Sequence, residues 1–167
     1  GVLFRSLTAR MPRRFSRIAF VASPTADARE AADLLMRRYD HVSPEEADVV
    51  VALGGDGLML QVLHRFMDAP KPIYGMNRGT VGFLMNEWRL ERLEQRLEKA
   101  KSFKVNPLRM VVDTVDGERF SIPAINEVSL LRETRQTAKL EVSLNDRIVM
   151  PELVCDGILA ATPAGST

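Results

Sequence analysis

The sequence predicts an α/β fold, in which an N-terminal domain with a parallel sheet is followed by a mostly antiparallel β domain. Two observations carry this prediction. Up to about residue 102, short apolar runs alternate with helix-like segments, the pattern of strand–helix–strand units around a parallel sheet. From residue 103 to residue 161 no helix pattern appears, and short β-like runs separated by turn residues follow one another.

Each element of the first half has its own signal. Apolar, β-branched runs predict buried strands at 17–23, 47–53 and 72–76. Helix-forming composition predicts helices at 26–39 and 58–66, and leucines spaced along one face predict a third helix at 86–101. The alternation indicates a Rossmann-like α/β domain.

The second half carries two hairpin signals. Asp116-Gly117 lies between β-like runs and predicts a hairpin with a primed turn. Asn145-Asp146 lies between two further runs and predicts a second hairpin. A last apolar run covers 154–161. We therefore divide the chain into a flexible basic segment at 1–16, an α/β domain at 17–102 and the start of a β-rich domain at 103–167.

The composition is that of a globular protein, with 46% hydrophobic and 27% charged residues in 167. No apolar run reaches the roughly 18–20 residues of a membrane helix. The single cysteine, Cys155, excludes a disulfide-stapled scaffold, indicates a reducing compartment and is interpreted as a small buried hydrophobic residue. With two histidines and one cysteine, no zinc site built by the protein is expected.

The charge is unevenly distributed. The net charge is +1, but the first 20 residues alone contribute +5 from five arginines and no acid, which leaves −4 for the rest. A body of that sign is a poor general nucleic-acid binder. An Arg-rich, acid-free start is also typical of a transit peptide. We favour Met11 as a natural start and exclude residues 1–10 from the fold.

The strongest chemical signal is the loop formed by Gly54, Gly55, Asp56 and Gly57, between a buried strand and a helix. In open α/β sheets, ligands bind beyond the carboxyl ends of the strands, and glycines let backbone N–H groups approach a phosphate. A carboxylate in such a loop would hold Mg²⁺ or accept a proton from an attacking hydroxyl. The alternative is an Asp-Gly turn that merely connects strand and helix.

Three further motifs are weaker when each is taken alone. A glycine-rich stretch at 75–83 follows the third strand and includes Gly82 and Phe83. Asn126-Glu127 pairs an amide with a carboxylate at a strand entrance, a combination suited to ribose hydroxyls. Asp156-Gly157 precedes the small-residue loop at 162–167. The natural polypeptide is expected to continue past that loop.

Taken in order, these four motifs resemble those of bacterial NAD kinases, the ATP/polyphosphate-NAD kinase family. The resemblance covers residues 17–167 and implies phosphoryl transfer from ATP, or from polyphosphate, to the adenosine-ribose 2′-hydroxyl of NAD. It implies Asp56 as the proton acceptor and Gly54 and Gly55 as the phosphate-donor loop. For NAD it implies a set of binding residues: Asp56, Gly57, Gly82, Phe83, Asn126, Glu127, Asp156, Ala164 and Thr167.

The resemblance also implies a divalent cation, Mg²⁺, with NAD and ATP as substrates. It implies a cytoplasmic homodimer or homotetramer with no nucleic-acid or membrane partner. Two alternatives stay open. A Gly-Gly-Asp loop occurs in lipid and sugar kinases, and a degenerate or shortened chain would bind NAD without catalysis.

Overall fold

The computed structural model of the chain describes residues 1–6, 15–79 and 82–163. The chain divides into two compact units, Gly1–Asn106 and Pro107–Thr167. The predicted α/β class is confirmed, since a parallel-sheet unit precedes a unit of antiparallel strand pairs. The sequence predicted this boundary near Ser102. The observed boundary lies a few residues later, because one further strand belongs to the first unit.

The first unit contains a five-stranded sheet. Its strands are β1 (Val2–Ser6), β2 (Ile18–Ala22), β3 (Val49–Gly54), β4 (Ile73–Asn77) and β5 (Lys101–Val105). They lie in the order β2-β3-β4-β1-β5. The strands β2, β3 and β4 are parallel, as predicted, so their carboxyl ends share one edge of the sheet.

Three helices connect these strands: α1 (Ala26–Arg38), α2 (Asp56–Arg65) and α3 (Leu93–Glu98). The hydroxyl of Thr25 accepts a hydrogen bond from the Ala28 amide at 3.4 Å and caps α1. An acidic residue in the first turn of α1 and two arginines in its last turn stabilise the helix through its dipole. The helix α2 begins two residues earlier than predicted, which places Asp56 in its first turn.

The core of this unit is built on β3, whose six residues are all buried. One cluster joins Val49, Val51 and Leu53 to Leu35 of α1 and to Tyr74 of β4. A strand that is apolar on both faces, like this one, requires cover on both sides of the sheet. The β-branched run therefore favours an interior position for β3, between β2 and β4.

The exclusion of residues 1–10 from the fold is wrong for the first six of them. Residues 2–6 form β1, which pairs in parallel with β5 and antiparallel with β4. The short run Val2-Leu3-Phe4 is apolar, and Leu3 is fully buried in the core cluster. The strand was not predicted because Met11 was favoured as the start and the apolar run is only three residues long. Residues 7–14 lie outside the described residues.

The predicted helix at 86–101 is also wrong over most of its length, because only Leu93–Glu98 is helical. The backbone of Asn86 instead bridges to β4, and Arg92 begins α3 with a left-handed φ of 53°. Leu93 and Leu97 are buried, as their spacing suggested. Pairing of Asn86 with the sheet thus outweighs helix propensity at the start of the predicted helix.

The second unit consists of three antiparallel strand pairs. Its strands are β6 (Leu108–Asp113), β7 (Arg119–Ala124), β8 (Glu127–Leu131), β9 (Ala138–Leu144), β10 (Arg147–Cys155) and β11 (Gly157–Ala161). The pairs are β6 with β7, β9 with β10, and β8 with β11. Both predicted hairpins are present, and no helix interrupts the described part of this unit, as predicted.

The two hairpin turns differ. Asn145 and Asp146 have φ values of 50° and 61°, the left-handed pair of a type I′ turn. The primed turn predicted at Asp116-Gly117 is wrong, because only Gly117 has a positive φ, at 83°. There the Gly117 amide donates to the Thr114 carbonyl at 3.0 Å, the three-residue loop of a turn followed by a glycine bulge.

Candidate active site

The glycine–aspartate loop lies at the carboxyl end of β3. Gly54 is the last residue of the strand, Gly55 is the N-cap of α2, and Asp56 starts the helix. A Cβ on Gly54 would lie 3.0 Å from Leu58 Cδ2 and 3.2 Å from Ser23 Cβ, so the helix packs tightly on the end of the strand. Gly55 has no side chain to cap α2, which leaves the first N–H groups of the helix open to a ligand.

The carboxylate of Asp56 accepts hydrogen bonds from two successive backbone amides. The Phe83 amide donates to Oδ2 at 2.9 Å, and the Leu84 amide donates to Oδ1 at 3.0 Å. Gly82 lies directly against the same carboxylate, because a Cβ on it would approach Oδ1 to 2.2 Å. The loop after β3 and the glycine-rich segment after β4 thus meet at Asp56.

Phe83 and Gly57, next to this carboxylate, are both exposed. The ring of Phe83 is 84% exposed, so it is available to stack on a ligand. Gly57 is exposed, and a Cβ on it would meet no atom within 4 Å. The space beside Asp56 is therefore open on the side of the helix start.

Arg78, within the glycine-rich stretch at 75–83, joins three elements near this site although no role was predicted for it. Its amide donates to the Gly54 carbonyl at 2.8 Å, and its Nε donates to the Asp27 carbonyl at 3.3 Å. Its guanidinium lies 5.0 Å from the centre of the Trp88 ring. Arg78 thereby ties the end of β4 to β3 and to the first turn of α1. The sequence signal that could have indicated this role is a positively charged residue directly after a buried strand.

In the second unit, Asn126 and Glu127 lie where β8 begins, and Glu127 is exposed. The Thr162 amide donates to the Asn126 carbonyl at 2.7 Å, and its hydroxyl donates to the Ile125 carbonyl at 2.6 Å. The side-chain oxygen Oδ1 of Asn126 is buried and has no hydrogen-bond partner among the described residues. This start of the small-residue loop is thus anchored to the Asn-Glu motif.

Asp156 occupies the bend between β10 and β11. Its carbonyl accepts from the Arg132 amide at 2.9 Å, and its Oδ1 accepts from Arg132 Nε at 2.5 Å. The carboxylate is 70% exposed in spite of this ion pair. The neighbouring Cys155 is only partly buried, which corrects its interpretation as a buried hydrophobic residue.

The predicted site residues therefore fall into two groups. The structure brings Gly54, Gly55, Asp56, Gly57, Gly82 and Phe83 together in the first unit. It places Asn126, Glu127 and Asp156 in the second unit. Ala164 and Thr167 lie outside the described residues.

Among the described residues, no group of three carboxylate, histidine or cysteine side chains could hold a metal ion. Both oxygens of Asp56 already accept backbone hydrogen bonds. The described residues therefore supply no three-ligand metal site of their own. No described helix is long and apolar enough to span a membrane.

The fold and this loop define a class: an α/β protein with a carboxylate at the carboxyl edge of its parallel strands, where ligands bind in such sheets. The profile of the ATP-NAD kinase N-terminal domain matches residues 4–102. The chain belongs to the ATP-NAD kinase family.

Curated relatives agree with this assignment. The chain is 60% identical to the NAD kinase of Rhizorhabdus wittichii over 153 residues, which cover 90% of this chain and 60% of that protein. It is 59% identical to the NAD kinase of Zymomonas mobilis over 156 residues, with coverages of 92% and 60%. The chain thus spans about 60% of the length of these relatives.

Two solved structures have the same fold. A yeast NADH kinase complexed with NADH superposes with a TM-score of 0.71 at 18% identity, over 92% of this chain and 59% of that one. An NAD kinase from Archaeoglobus fulgidus in complex with ATP superposes with a TM-score of 0.61 at 26% identity, over 90% of this chain and 62% of that one.

Proposed function

We propose that the protein is an NAD kinase, which transfers a phosphoryl group from ATP to the adenosine-ribose 2′-hydroxyl of NAD and so forms NADP. The observation that carries the proposal is the carboxylate of Asp56, fixed by two backbone amides at the carboxyl end of β3. Membership of the NAD kinase family and the named relatives support it.

Asp56 acts as the proton acceptor for the 2′-hydroxyl. An ionised carboxylate has about four lone-pair sites, and the two amides use one on each oxygen. One site on each oxygen therefore stays available for a substrate hydroxyl. General-base catalysis of this kind contributes about 10²–10⁴-fold to the rate.

Gly54 and Gly55 approach the phosphates of the donor. The first N–H groups of α2 have no side-chain cap, and backbone donors at a helix N-terminus stabilise negative charge on a transferring phosphoryl group. The divalent cation is Mg²⁺ carried by the ATP phosphates, since Mg²⁺ is usually held by substrate phosphates with few protein ligands. Inorganic polyphosphate is a second donor to test.

Candidate NAD-binding residues occur in each unit. In the first unit these are Asp56, Gly57 and the exposed ring of Phe83, with Gly82 beside them. In the second unit they are Asn126, Glu127 and Asp156, followed along the chain by Ala164 and Thr167. The Oδ1 of Asn126, buried and without a partner among the described residues, supports this role, because a buried acceptor without a donor is costly until a ligand supplies one. The protein acts in the cytoplasm as a homodimer or homotetramer.

The test is NADP formation from NAD, ATP and Mg²⁺ by protein expressed from the full-length gene. Asp56→Asn should lower kcat by at least about 10²-fold, because the amide cannot accept the proton. Its affinity for NAD, measured by thermal shift, should stay within a few-fold. Asp33→Asn, at an exposed position of α1, is the matched control and should keep wild-type turnover.

Two results would count against the proposal. Turnover that survives in Asp56→Asn would remove Asp56 as the base while leaving the activity in place. No NADP from the wild-type protein would overturn the kinase function itself. In that case lipids and sugars carrying free hydroxyls become the acceptors to test.

A further inference from the structure

Gly82 stands out because the carboxylate of Asp56 occupies the place of its side chain. The three atoms nearest to a Cβ built on Gly82 are Oδ1, Cγ and Oδ2 of Asp56, at 2.2, 2.7 and 3.0 Å. Real Cβ atoms do not approach other atoms so closely. Any residue other than glycine at position 82 would therefore force the carboxylate or the segment to move.

The backbone conformation does not explain this glycine. Gly79 and Gly117 have φ values in the left-handed region, and Gly82 is not among the described glycines found there. Contact with Asp56 is thus what requires glycine at this position.

The two residues after Gly82 complete the contact. The amides of Phe83 and Leu84 each donate to one oxygen of Asp56, at 2.9 and 3.0 Å. Two donors fix both the position and the rotation of the carboxylate plane. The sequence separation is 27 and 28 residues, so this arrangement joins two loops rather than residues of one turn.

We propose that Gly82–Leu84 is a positioning segment for the Asp56 carboxylate, and that Gly82 acts on turnover through Asp56 rather than by contact with NAD. The inference rests on the proposed function, in which Asp56 is the base. Misplacement of a reacting group by about 1 Å can cost about 10²-fold in rate. Gly82 is therefore a positioning residue, and its substitution should change kcat.

The experiment compares the steady-state kinetics of Gly82→Ala, Asp56→Asn and the double variant in the full-length protein. Gly82→Ala should lower kcat by about 10–100-fold and change the KM for NAD by less than about twofold. The double variant should be no slower than Asp56→Asn, because a residue that acts only through Asp56 has no effect once the base is removed. Thermal unfolding verifies that each variant is folded.

Phe83→Ala is the comparison variant in the same segment. It keeps the amide that donates to Asp56 and adds no atom near the carboxylate. Its KM for NAD should rise through loss of the ring, while its kcat stays well above that of Gly82→Ala. An equal fall of kcat in both variants would overturn the specific role of Gly82.

Two other kinetic results would overturn the inference. One is a raised KM for NAD in Gly82→Ala with unchanged kcat, which indicates direct binding. The other is multiplicative losses in the double variant, which indicate a role independent of Asp56.

Amide hydrogen exchange separates failure of this inference from failure of the proposed function. Exchange at Phe83 and Leu84 should accelerate in Gly82→Ala whether or not NADP is formed. If the wild-type protein forms no NADP, the kinase function fails, and exchange still tests the positioning. If exchange at these amides is unchanged in Gly82→Ala, the positioning contact itself is refuted.

Discussion

At the scale of single residues, Asp48 lies just before β3 and accepts five hydrogen bonds. The side chain of Arg17 donates to Oδ1 from Nη2 at 2.8 Å and from Nε at 3.2 Å. The hydroxyl and amide of Ser16 and the amide of Arg17 donate to Oδ2. Led by the Arg17 hydrogen bond, these contacts lower the pKa of Asp48 from 3.8 to about 2, although burial opposes the shift.

This shift predicts a pH dependence of stability. Because the folded-state pKa lies below the unfolded value, the ionised Asp48 stabilises the fold above about pH 4, and that contribution is lost as the pH falls toward 2. The carboxylate is 18% exposed and Arg17 is 58% exposed, so solvent screening limits the contribution to about 1–2 kcal/mol. Asp48→Asn should be less stable than wild type by that amount at pH 7.

Urea unfolding at pH 7, 4 and 2.5 measures this difference, which should narrow at the lowest pH. Asp113→Asn is the matched control, since its pair with Arg119 spans 3.6 Å between two largely exposed side chains. That variant should change the free energy of unfolding by less than about 0.5 kcal/mol. A gap between Asp48→Asn and wild type that stays constant from pH 7 to 2.5 would contradict the assignment.

At the scale of elements, the contacts of Asn86 explain why the predicted helix at 86–101 does not begin at this residue. Its Nδ2 donates to the Val2 carbonyl at 2.7 Å and to the Gly75 carbonyl at 2.8 Å, and its Oδ1 accepts from the Val2 amide at 2.5 Å. Its backbone pairs with β4 through the Gly75 carbonyl and the Asn77 amide, both at 2.8 Å. One residue thus connects β1 to β4.

Asn86→Ala should lower the free energy of unfolding by about 1–3 kcal/mol, because it leaves partly buried backbone groups without partners. Asn86→Asp should be at least as destabilising at pH 7, since it sets a carboxylate against two carbonyl oxygens. Gln95→Ala, on an exposed position of α3, is the control. Urea unfolding measures all three variants, and a loss in Asn86→Ala no larger than that of the control would show that the Asn86 contacts are dispensable.

At the scale of the whole molecule, the two units differ in how much apolar surface they bury. Among the described residues, every buried hydrophobic side chain except Ile125 belongs to residues 1–106. The strands of the second unit expose large apolar side chains, including Leu131 at 80% and Leu159 at 64%. Burial of apolar surface is the main driving force of folding. Most of the stabilisation from this burial therefore comes from the first unit.

Residues 1–106, expressed alone, should therefore unfold cooperatively on heating, whereas residues 107–167 alone should not. Two-stranded sheets with one open face are marginal in water. Circular dichroism during thermal unfolding of each polypeptide provides the measurement, with the intact chain as reference. A cooperative transition in residues 107–167 alone would contradict the prediction.

Much of the fold could be predicted because its signals are local. The β-branched run of β3, the Thr25 cap of α1 and the Asn145-Asp146 turn each depend on neighbouring residues only. The helix at 86–101 was predicted wrongly at its start, because the side chain of Asn86 bonds to Val2 and Gly75, which are distant in sequence.

The sequence by itself determined the α/β class, the loop after β3 and the family to which its ordered motifs belong. Only the tertiary structure decided that Gly82 and the amides of Phe83 and Leu84 enclose the carboxylate of Asp56. The physical reason is distance along the chain. A strand or a turn is selected by adjacent residues, whereas a contact across 27 residues exists only after β3 and β4 have paired and their carboxyl ends lie side by side.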